Sequence, residues 1–314
     1  MLMKEFSKDS LEIHAPAKIN LFLQVLNKRP DGYHNINSLM QAISLFDKLK
    51  ITTIARPECQ ITLGGELGNV RIENNLINRA YDLFYKKFSL KKGIRVELEK
   101  NIPIAAGLGG GSSDCASAMI AMNRMFQLGL SNPDLAQISA ELGSDIPFFF
   151  YKGQAFVSGR GEIVEETSFP VDYNIIVVST GIPVSTVQSY KALNLKLTTN
   201  KSTSTLETYY GLEGYIELLN ELRNGFEATQ FRRTPNLLAI KEQLLKSGAL
   251  LARMSGTGPT MFGIFLENCK RERVSSVSFP DCHLYTVKPF LLPEREMEQQ
   301  EGKSNGDYRD SDHH

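Results

Sequence analysis

The segment that most constrains the fold is a strand, a glycine-rich run and a helix in direct succession. Residues Gly93–Glu99 alternate apolar and polar side chains, which predicts a strand, and the run Gly107-Leu-Gly-Gly-Gly-Ser-Ser113 follows shortly after it. Apolar residues at spacings of three and four from Ala116 to Phe126 predict a helix, with Ser112 or Ser113 as its N-cap. Glycines let a backbone approach an anion closely, and a helix N-terminus points free N–H groups at it. The segment therefore predicts a phosphate-binding loop.

Other interpretations of this glycine-rich run are weaker. A Walker A loop needs a lysine after its last glycine, but Ser112 and Ser113 stand there. The dinucleotide fingerprint fails because a frame that begins at Gly107 places Ser112 where the last glycine belongs. A merely flexible turn remains the alternative, and the capped helix directly downstream favours the phosphate site.

Composition excludes several classes of protein. A chain of 314 residues predicts about two domains. Lys plus Arg and Asp plus Glu each number 35, so no global charge attracts nucleic acid or an anionic membrane. No apolar stretch approaches the roughly 20 residues that span a bilayer, and no secretory signal is recognisable, which predicts a cytoplasmic protein without a membrane partner. The four cysteines and five histidines lack zinc-ligand spacing, so no protein-bound metal site is predicted.

The order of predicted elements suggests two domains and a tail. The first domain, residues 1–170, is predicted to open with strands, and the second covers residues 171–292. Residues 293–314 hold seven acids, three bases and few bulky apolar side chains, which predicts a disordered acidic tail. The predicted strands are 11–26 (broken at Pro16), 43–54, 59–63, 93–99, 155–164, 174–179, 251–255, 260–266 and 283–288. The predicted helices are 75–88 (capped by Asn74 or Asn75), the helix after the glycine run, 133–142, 213–220 and 236–246, with a loop over 196–208.

Four further features carry candidate chemistry, each with a simpler alternative. Lys18 shares a strand face with Asn20, although a single lysine is more often solvated. Asp145 precedes a proline and could only cap a turn. The segment Ser255-Gly-Thr-Gly-Pro-Thr260 could be a connecting turn, and Tyr33 with its neighbour His34 could form an exposed hairpin tip.

Five motifs in order resemble the kinase superfamily of galactokinase, homoserine kinase, mevalonate kinase and phosphomevalonate kinase (GHMP kinases). They are Ala15-Pro-Ala-Lys-Ile-Asn-Leu-Phe-Leu23, Arg29-Pro-Asp-Gly-Tyr-His34, Pro103–Ser113, Gly143-Ser-Asp-Ile-Pro-Phe148 and Ser255-Gly-Thr-Gly-Pro259. Jointly they are similar to the branch whose acceptor is 4-diphosphocytidyl-2-C-methyl-D-erythritol. The resemblance covers residues 11 to 290.

The resemblance implies an α/β two-domain fold, with an N-terminal domain like domain 2 of ribosomal protein S5 and a C-terminal ferredoxin-like α+β domain. The active site is expected in the cleft between them. The implied catalytic residues are Asp145, as the base on the acceptor hydroxyl, and Lys18, which orients that hydroxyl. The residues implied to surround the ATP phosphates are Pro103, Ile104, Ala105, Ala106, Gly107, Leu108, Gly109, Gly110, Gly111, Ser112 and Ser113.

The resemblance also implies the acceptor site. Tyr33 and Tyr190 are expected to stack on cytosine while His34 hydrogen-bonds its edge, and Asn20 and Thr186 are expected to contact the erythritol or diphosphate part. Gly256, Thr257 and Gly258 are expected at the acceptor end of the cleft. Mg²⁺ is expected with ATP, with Ser112 or Ser113 as a ligand.

The implied function is ATP-dependent phosphorylation of the 2-hydroxyl of that acceptor, in the non-mevalonate isoprenoid pathway. A monomer or weak homodimer is expected. Homoserine or mevalonate kinase activity is one alternative, and a non-catalytic nucleotide-binding sensor is another. The Asp-Gly-Tyr-His segment that ends at His34 disfavours the former because it serves a base, and retention of Lys18 and Asp145 disfavours the latter.

Overall fold

The computed structural model describes residues 1–64, 75–193, 211–266, 279 and 281–292, and its strands form two sheets. The predicted loop 196–208 and the predicted acidic tail 293–314 lie outside the described residues. Within the described part, no helix combines the length and the apolar character needed to cross a membrane.

The first sheet has seven strands, most of them paired antiparallel. They are β1 (Leu2–Ser7), β2 (Ser10–Lys28), β3 (His34–Ile54), β4 (Cys59–Gly64), β5 (Gly93–Glu99), β6 (Gln154–Gly159) and β7 (Ile163–Glu166). The order is β1-β2-β3-β5-β4, with β6 on β3 and β7 on β6, and only the described β4–β5 pairing is parallel. The alternation that predicted β5 gave its observed bounds, whereas β1 was not predicted.

Strand β2 is continuous where the sequence predicted a break. Its pairing with β3 shifts register between Pro16 and Ala17 and again between Asn20 and Phe22. The extra residues at the first shift are Ser44 and Leu45 of β3, and Pro16, which has no N–H for the ladder, does not end β2. Lys18 therefore lies in the middle of a long strand.

The helices of the first part share an apolar core with this sheet. They are α1 (Leu76–Phe88), α2 (Gly110–Met125) and α3 (Asn132–Ser139), followed by a 3₁₀ turn over Pro147–Phe150. Of the two predicted caps, Asn75 is the one that caps α1, since its Oδ1 accepts the N–H of Ile77 at 2.9 Å. Helix α3 ends at Ser139, three residues before the predicted end at Leu142.

The second sheet has four antiparallel strands in the order β11-β8-β10-β9. They are β8 (Tyr173–Ser179), β9 (Leu251–Met254), β10 (Met261–Leu266) and β11 (His283–Val287). Between β8 and β9 the described helices are α4 (Thr186–Lys191), α5 (Gly211–Glu221), α6 (Glu227–Arg233) and α7 (Asn236–Lys246). Helices α4 and α6 were not predicted. The order fourth, first, third, second is that of a ferredoxin-like sheet.

The two sheets share a buried apolar cluster. Ile19 and Phe22 of β2 lie in it with Ile175 and Val177 of β8 and Phe262 of β10. Apolar burial on this scale is the main stabilising contribution to such an interface. The middle of β2 is thus covered from both sides, although the division into domains at residue 170 stays a prediction.

Candidate active site

A cavity of about 440 Å³ lies between segments of the two sheets. Of the residues predicted for the site, those that line it are Lys18, Asn20, Asp145, Thr186, Tyr190, Gly256, Thr257 and the stretch from Pro103 to Ser112. Ser113, Tyr33, His34 and Gly258 do not line it. The volume is in the range of small-molecule sites.

The glycine loop is pressed against the turn that follows β9. Ser255 Oγ donates to the carbonyl oxygen of Gly107 at 2.9 Å, and the φ of Gly107 is +79°. A Cβ on Gly107 would lie 2.3 Å from the carbonyl oxygen of Ser255, and one on Gly256 would lie 3.1 Å from that of Gly107. Two backbones therefore approach each other at a distance that side chains would prevent.

The N-cap predicted at Ser112 or Ser113 is wrong. Helix α2 begins at Gly110, and its N-cap is Gly109 in the left-handed conformation with a φ of +71°. A Cβ on Gly109 would lie 2.9 Å from Cγ of Lys18, so no side chain fits there. The lysine packs where a capping side chain would stand.

The two serines have different environments. Ser112 lines the cavity, whereas Ser113 is fully buried and its Oγ has no hydrogen-bond partner among the described residues. Within the described chain, no cluster of three or more His, Cys, Asp or Glu could hold a metal ion. One hydroxyl beside a phosphate loop suits a Mg²⁺ ion that reaches the site on a nucleotide and keeps water and phosphate ligands.

Lys18 is buried and points at Asp145. Only 3% of the residue is exposed, and Nζ lies 3.3 Å from Oδ2 of Asp145, whose side chain is 38% exposed. The backbone N–H of Lys18 donates to the carbonyl of Leu108 at 2.9 Å, which ties β2 to the loop. The interpretation of Lys18 as a solvated side chain is therefore excluded. The pair combines a shielded ammonium with a carboxylate open to the cavity.

Asn20 holds the lysine in this position. Its Oδ1 accepts from Lys18 Nζ at 2.7 Å, and its Nδ2 donates to Ser38 Oγ at 2.8 Å. Ser38 Oγ in turn donates to the carbonyl of Phe22 at 2.6 Å, and the backbone N–H of Asn20 donates to Ser255 Oγ at 3.3 Å. A fully connected buried network of this kind fixes one side-chain geometry.

The predicted aromatic residues are arranged differently from a sandwich of two tyrosines. The His34 ring stacks on Tyr190 at 5.1 Å between centroids, and Tyr190 meets Phe226 edge-on at 4.9 Å. Tyr33 is 53% exposed and lies under the guanidinium of Arg160, whose Cζ is 5.0 Å from the ring centroid.

Burial shifts the pKa of each stacked ring in the direction that favours its neutral form. Burial, and then the charge of Lys28, lowers the pKa of His34. Burial, and then the charge of Asp145, raises the pKa of Tyr190. A neutral imidazole has one donor and one acceptor nitrogen, which suits the edge of an uncharged base.

A buried charge cluster that the sequence did not predict lies behind the loop. Lys100 Nζ contacts Oδ2 of Asp47 and lies 2.7 Å from Oδ2 of Asp114. Oδ1 of Asp47 accepts the backbone N–H groups of Asn101 at 2.6 Å and Ile102 at 2.9 Å. The strand end that carries Lys100 and the first turns of α2 are thereby held together. Lys100 and Asp114 also line the cavity.

The cluster holds two carboxylates and one ammonium, and burial raises the pKa of Asp114 to about 8. Burial lowers the pKa of Lys100, but its interactions with Asp114 and Asp47 outweigh burial and leave that pKa raised. Oδ1 of Asp114 has no partner among the described residues. A protonated Asp114 beside a charged Lys100–Asp47 pair leaves the cluster neutral, which limits the cost of its burial.

The pH dependence of stability should reveal this carboxyl. The pKa of Asp114 in the folded protein exceeds the ~3.9 of an unfolded aspartate, so its protonation stabilises the fold. This stabilisation is complete below about pH 3.9 and is lost as the pH rises toward 8. We expect the free energy of unfolding to fall with pH more steeply than in the Asp114→Asn variant, by up to about 1.4 kcal/mol per pH unit. Urea unfolding at pH 5, 6, 7 and 8 measures this, and parallel slopes would contradict it.

The close approach of two backbones at Gly107 leads to a second prediction, on the stability of an alanine variant. Gly107→Ala should lower the free energy of unfolding by about 2 kcal/mol or more, because the new Cβ meets Ser255 and the φ is positive. Gly111→Ala is the matched control, since nothing lies within 4 Å of its Cβ position inside α2. We expect that control to be neutral or stabilising by up to about 1 kcal/mol in urea unfolding without nucleotide. Equal effects would contradict the packing argument.

Comparisons with known proteins agree with this geometry. The family model of the GHMP kinases N terminal domain matches residues 75–153, and that of the GHMP kinases C terminal matches residues 211–276. A Bacillus cereus protein named 4-diphosphocytidyl-2-C-methyl-D-erythritol kinase is 37% identical over 291 residues, which cover 91% of this chain and 98% of that protein. A protein of the same name from Bacillus mycoides is 36% identical with the same coverage.

Solved structures match as well. A crystal structure of 4-(cytidine 5'-diphospho)-2C-methyl-D-erythritol kinase has a TM-score of 0.71 and 28% identity, over 88% of this chain and 99% of that one. Homoserine kinase from Cytophaga hutchinsonii has a TM-score of 0.69 at 16% identity, over 93% of this chain and 98% of that one, which shows the fold alone. The predicted two-domain α/β fold class is thereby confirmed.

Proposed function

The chain belongs to the 4-diphosphocytidyl-2-C-methyl-D-erythritol kinases of the GHMP kinase family, and on that premise we propose that it transfers the γ-phosphoryl group of ATP to the 2-hydroxyl of this acceptor. The products are the 2-phosphate and ADP. The observation that carries the proposal is the buried Lys18 ammonium 3.3 Å from Asp145, beside a glycine loop at a helix N-terminus. Kinase membership implies ATP as the donor, and the isoprenoid pathway follows from the acceptor.

Asp145 is the proposed base. Its partly exposed carboxylate takes the proton from the 2-hydroxyl, whose oxygen attacks the γ-phosphorus while the bond from that phosphorus to the bridging oxygen of ADP breaks. Lys18 orients the carboxylate and the hydroxyl and offsets negative charge as it develops. Asn20 keeps the ammonium in place through its 2.7 Å hydrogen bond.

The loop from Pro103 to Ser112 is the proposed phosphate site. The first residues of α2 line the cavity, and the free N–H groups and positive dipole end of a helix N-terminus favour the charge of the phosphates. Ser112 is the serine that would reach a nucleotide-bound Mg²⁺, because Ser113 is turned into the core. Held there, the ion would neutralise part of the negative charge of the phosphates.

The acceptor's base is proposed to bind at the His34–Tyr190 stack. Burial favours the neutral form of both rings, and Tyr190 lines the cavity. Arg160 covers one face of the Tyr33 ring. For Tyr33 to stack on the base, either its ring rotates away from Arg160 or the base binds to the other face of the ring. Thr186 and Thr257, whose hydroxyls lie 3.4 Å apart, line the cavity and are proposed polar contacts.

One assay separates this function from its alternatives. The purified chain is incubated with ATP, Mg²⁺ and the cytidine-linked acceptor, and in parallel with homoserine and with mevalonate, while ADP release is followed. We expect turnover with the first acceptor alone. Turnover with homoserine or mevalonate instead would support those kinases, and binding without turnover of any acceptor would support a sensor. Cytoplasmic location, the absence of nucleic-acid partners and a monomeric or weakly dimeric state stay predictions.

A further inference from the structure

Gln230 of α6 is a buried glutamine that joins two segments of the site and does not itself line the cavity. Only 2% of the residue is exposed. Its Nε2 donates to Oγ of Ser189 in α4 at 2.8 Å and to the carbonyl oxygen of Thr257, in the turn after β9, at 3.1 Å. A primary amide carries two N–H donors on that nitrogen, so both are used. The phosphoryl-transfer scheme gives this residue no role.

Helix α4 depends on contacts outside itself. Its six residues are too few for a stable isolated helix, and of these six only Ser189 is buried. The hydroxyl of Ser189 donates to the carbonyl oxygen of Ser185 at 3.1 Å, so its oxygen remains to accept from Gln230. The one buried side chain of this helix is thus held by a hydrogen bond rather than by apolar burial.

The orientation of α4 sets the places of two cavity-lining side chains. Thr186 lies one turn before Ser189, and its hydroxyl is 3.4 Å from that of Thr257. Tyr190 follows Ser189 directly and meets the aromatic N-cap residue of α6 edge-on at 4.9 Å. Thr186, Thr257 and Tyr190 all line the cavity. Gln230 therefore closes a ring of contacts that runs from the turn through α6 and α4 back to the turn.

The turn after β9 has a second attachment near α6. Asn224, three residues before that helix, is 3% exposed, and its Nδ2 donates to the carbonyl oxygens of Met254 and Gly256 at 2.8 Å each. Ser255 also ties the turn to the glycine loop. The turn would therefore keep its place without Gln230, whereas α4 would lose the donor to its one buried side chain.

We propose that Gln230 is a positioning residue, which fixes α4 against the turn after β9 and thereby places Thr186 and Tyr190 for binding of the acceptor. The assignment of α4 to the acceptor rests on the proposed function, whereas the fixing of α4 by Gln230 does not. Without the two hydrogen bonds α4 populates other orientations, and only the fraction with the correct one binds the acceptor. The apparent affinity falls by that fraction, while the reaction of the bound acceptor is unchanged.

Steady-state kinetics of Gln230→Leu tests the effect on the acceptor. Leucine keeps most of the side-chain volume and has no N–H donor. We expect KM for the acceptor to rise about 10-fold, an effect of the size that follows loss of a buried hydrogen-bond partner. Both kcat and KM for ATP should change less than about threefold, because the glycine loop, Lys18 and Asp145 are untouched.

Ser189→Ala tests the same hydrogen bond from its other end and is the milder substitution. It should also raise KM for the acceptor. The double variant with Gln230→Leu should be no worse than Gln230→Leu alone, because the two substitutions remove one shared interaction. Additive effects would contradict the proposed pairing.

Gln41→Leu is the matched control. Gln41 is a fully buried glutamine whose Nε2 donates to the carbonyl oxygens of Ala42 at 2.9 Å and Gly153 at 3.2 Å, and it does not line the cavity. In urea unfolding this variant should lose at least as much stability as Gln230→Leu. Its KM for the acceptor should stay at the wild-type value.

Hydrogen exchange of the ligand-free, full-length proteins tests the fixing of α4 without reference to the reaction. The backbone N–H groups of Ser189 and Ala192 donate to carbonyl oxygens four residues earlier, at 2.9 and 3.0 Å. Both should exchange about 10-fold faster in Gln230→Leu, because exchange follows local opening of the helix. In Gln41→Leu they should keep their wild-type rates.

The outcomes separate the inference from the function. Unchanged exchange in α4 of Gln230→Leu would overturn the inference, while the kinase assignment would stand. Faster exchange with an unchanged KM for the acceptor would overturn it as well, since α4 would then not place the acceptor. Equal changes in Gln41→Leu would mean that Gln230 contributes only stability. If the wild type did not turn over the acceptor, the proposed function and the acceptor part of the inference would both fall, and the exchange rates would still decide whether Gln230 fixes α4.

Discussion

Asp145→Asn should lower kcat by about 10²- to 10⁴-fold, the range for loss of a general base. Asparagine has nearly the shape of aspartate but cannot take the proton of the attacking hydroxyl. The variant should still bind ATP and cytidine diphosphate, because the glycine loop and the His34–Tyr190 stack are untouched. ADP release in steady state measures the rate, and calorimetry measures the two affinities.

Asp172→Asn is the control for this substitution, since Asp172 is exposed and lies away from the cavity. It should leave kcat unchanged. Near-normal turnover of Asp145→Asn would show that the carboxylate is not the base, and that orientation by Lys18 and charge neutralisation carry the reaction. A loss of ATP binding in the variant would instead assign Asp145 to nucleotide binding.

Lys100→Met should lower the free energy of unfolding by about 3–5 kcal/mol, the cost of removing one partner from a buried ion pair. The substitution leaves Asp47 without its ammonium in a place where none of its side chain is exposed. Lys48→Met is the matched control, because Lys48 pairs with Glu99 at 3.1 Å and both side chains are 45% exposed. An exposed pair contributes up to about 1 kcal/mol, so the control should lose no more than that.

Urea unfolding of the nucleotide-free proteins at pH 7 measures both substitutions. The dependence on urea concentration should keep its slope, since the fold is expected to remain the same. A loss below about 1 kcal/mol for Lys100→Met would mean that the cluster is hydrated in solution and contributes little to stability. The variant's activity is a separate matter, because Lys100 also lines the cavity.

Sequence patterns predicted the helices and strands whose formation depends on the spacing of apolar residues within the segment itself. The alternation over Gly93–Glu99 and the helical spacing over Asn236–Lys246 gave strands and helices with the observed bounds. The sequence limited the cap of α1 to Asn74 or Asn75, and the structure has it at Asn75. The sequence patterns did not predict the short helix α4. Helix α4 has six residues, too few for a recognisable period, and it is held by tertiary contacts that a single sequence does not display.

Residues of the candidate site were predictable from the sequence where they lie within a motif. They were not predictable where only the fold brings distant residues together. The glycine loop, Lys18 and Asp145 lie in motifs that resemble a known family. Asp47 and Lys100 are 53 residues apart and lie in ordinary strand sequence, so only the pairing of β3 with β5 brings them near each other. Serine is a good N-cap in general, but the packing of Lys18 against Gly109 overrides that preference.

The left-handed glycine ahead of α2 couples ligand binding to folding. A serine or aspartate at that position would satisfy the first N–H groups of the helix from within the protein, whereas Gly109 has no side chain to offer. A phosphate bound there supplies the missing acceptors and so completes the helix. By linkage, a ligand at 100 times its Kd adds about 2.7 kcal/mol to the free energy of unfolding. We therefore expect the melting temperature of this protein to rise as the proposed phosphate site is filled.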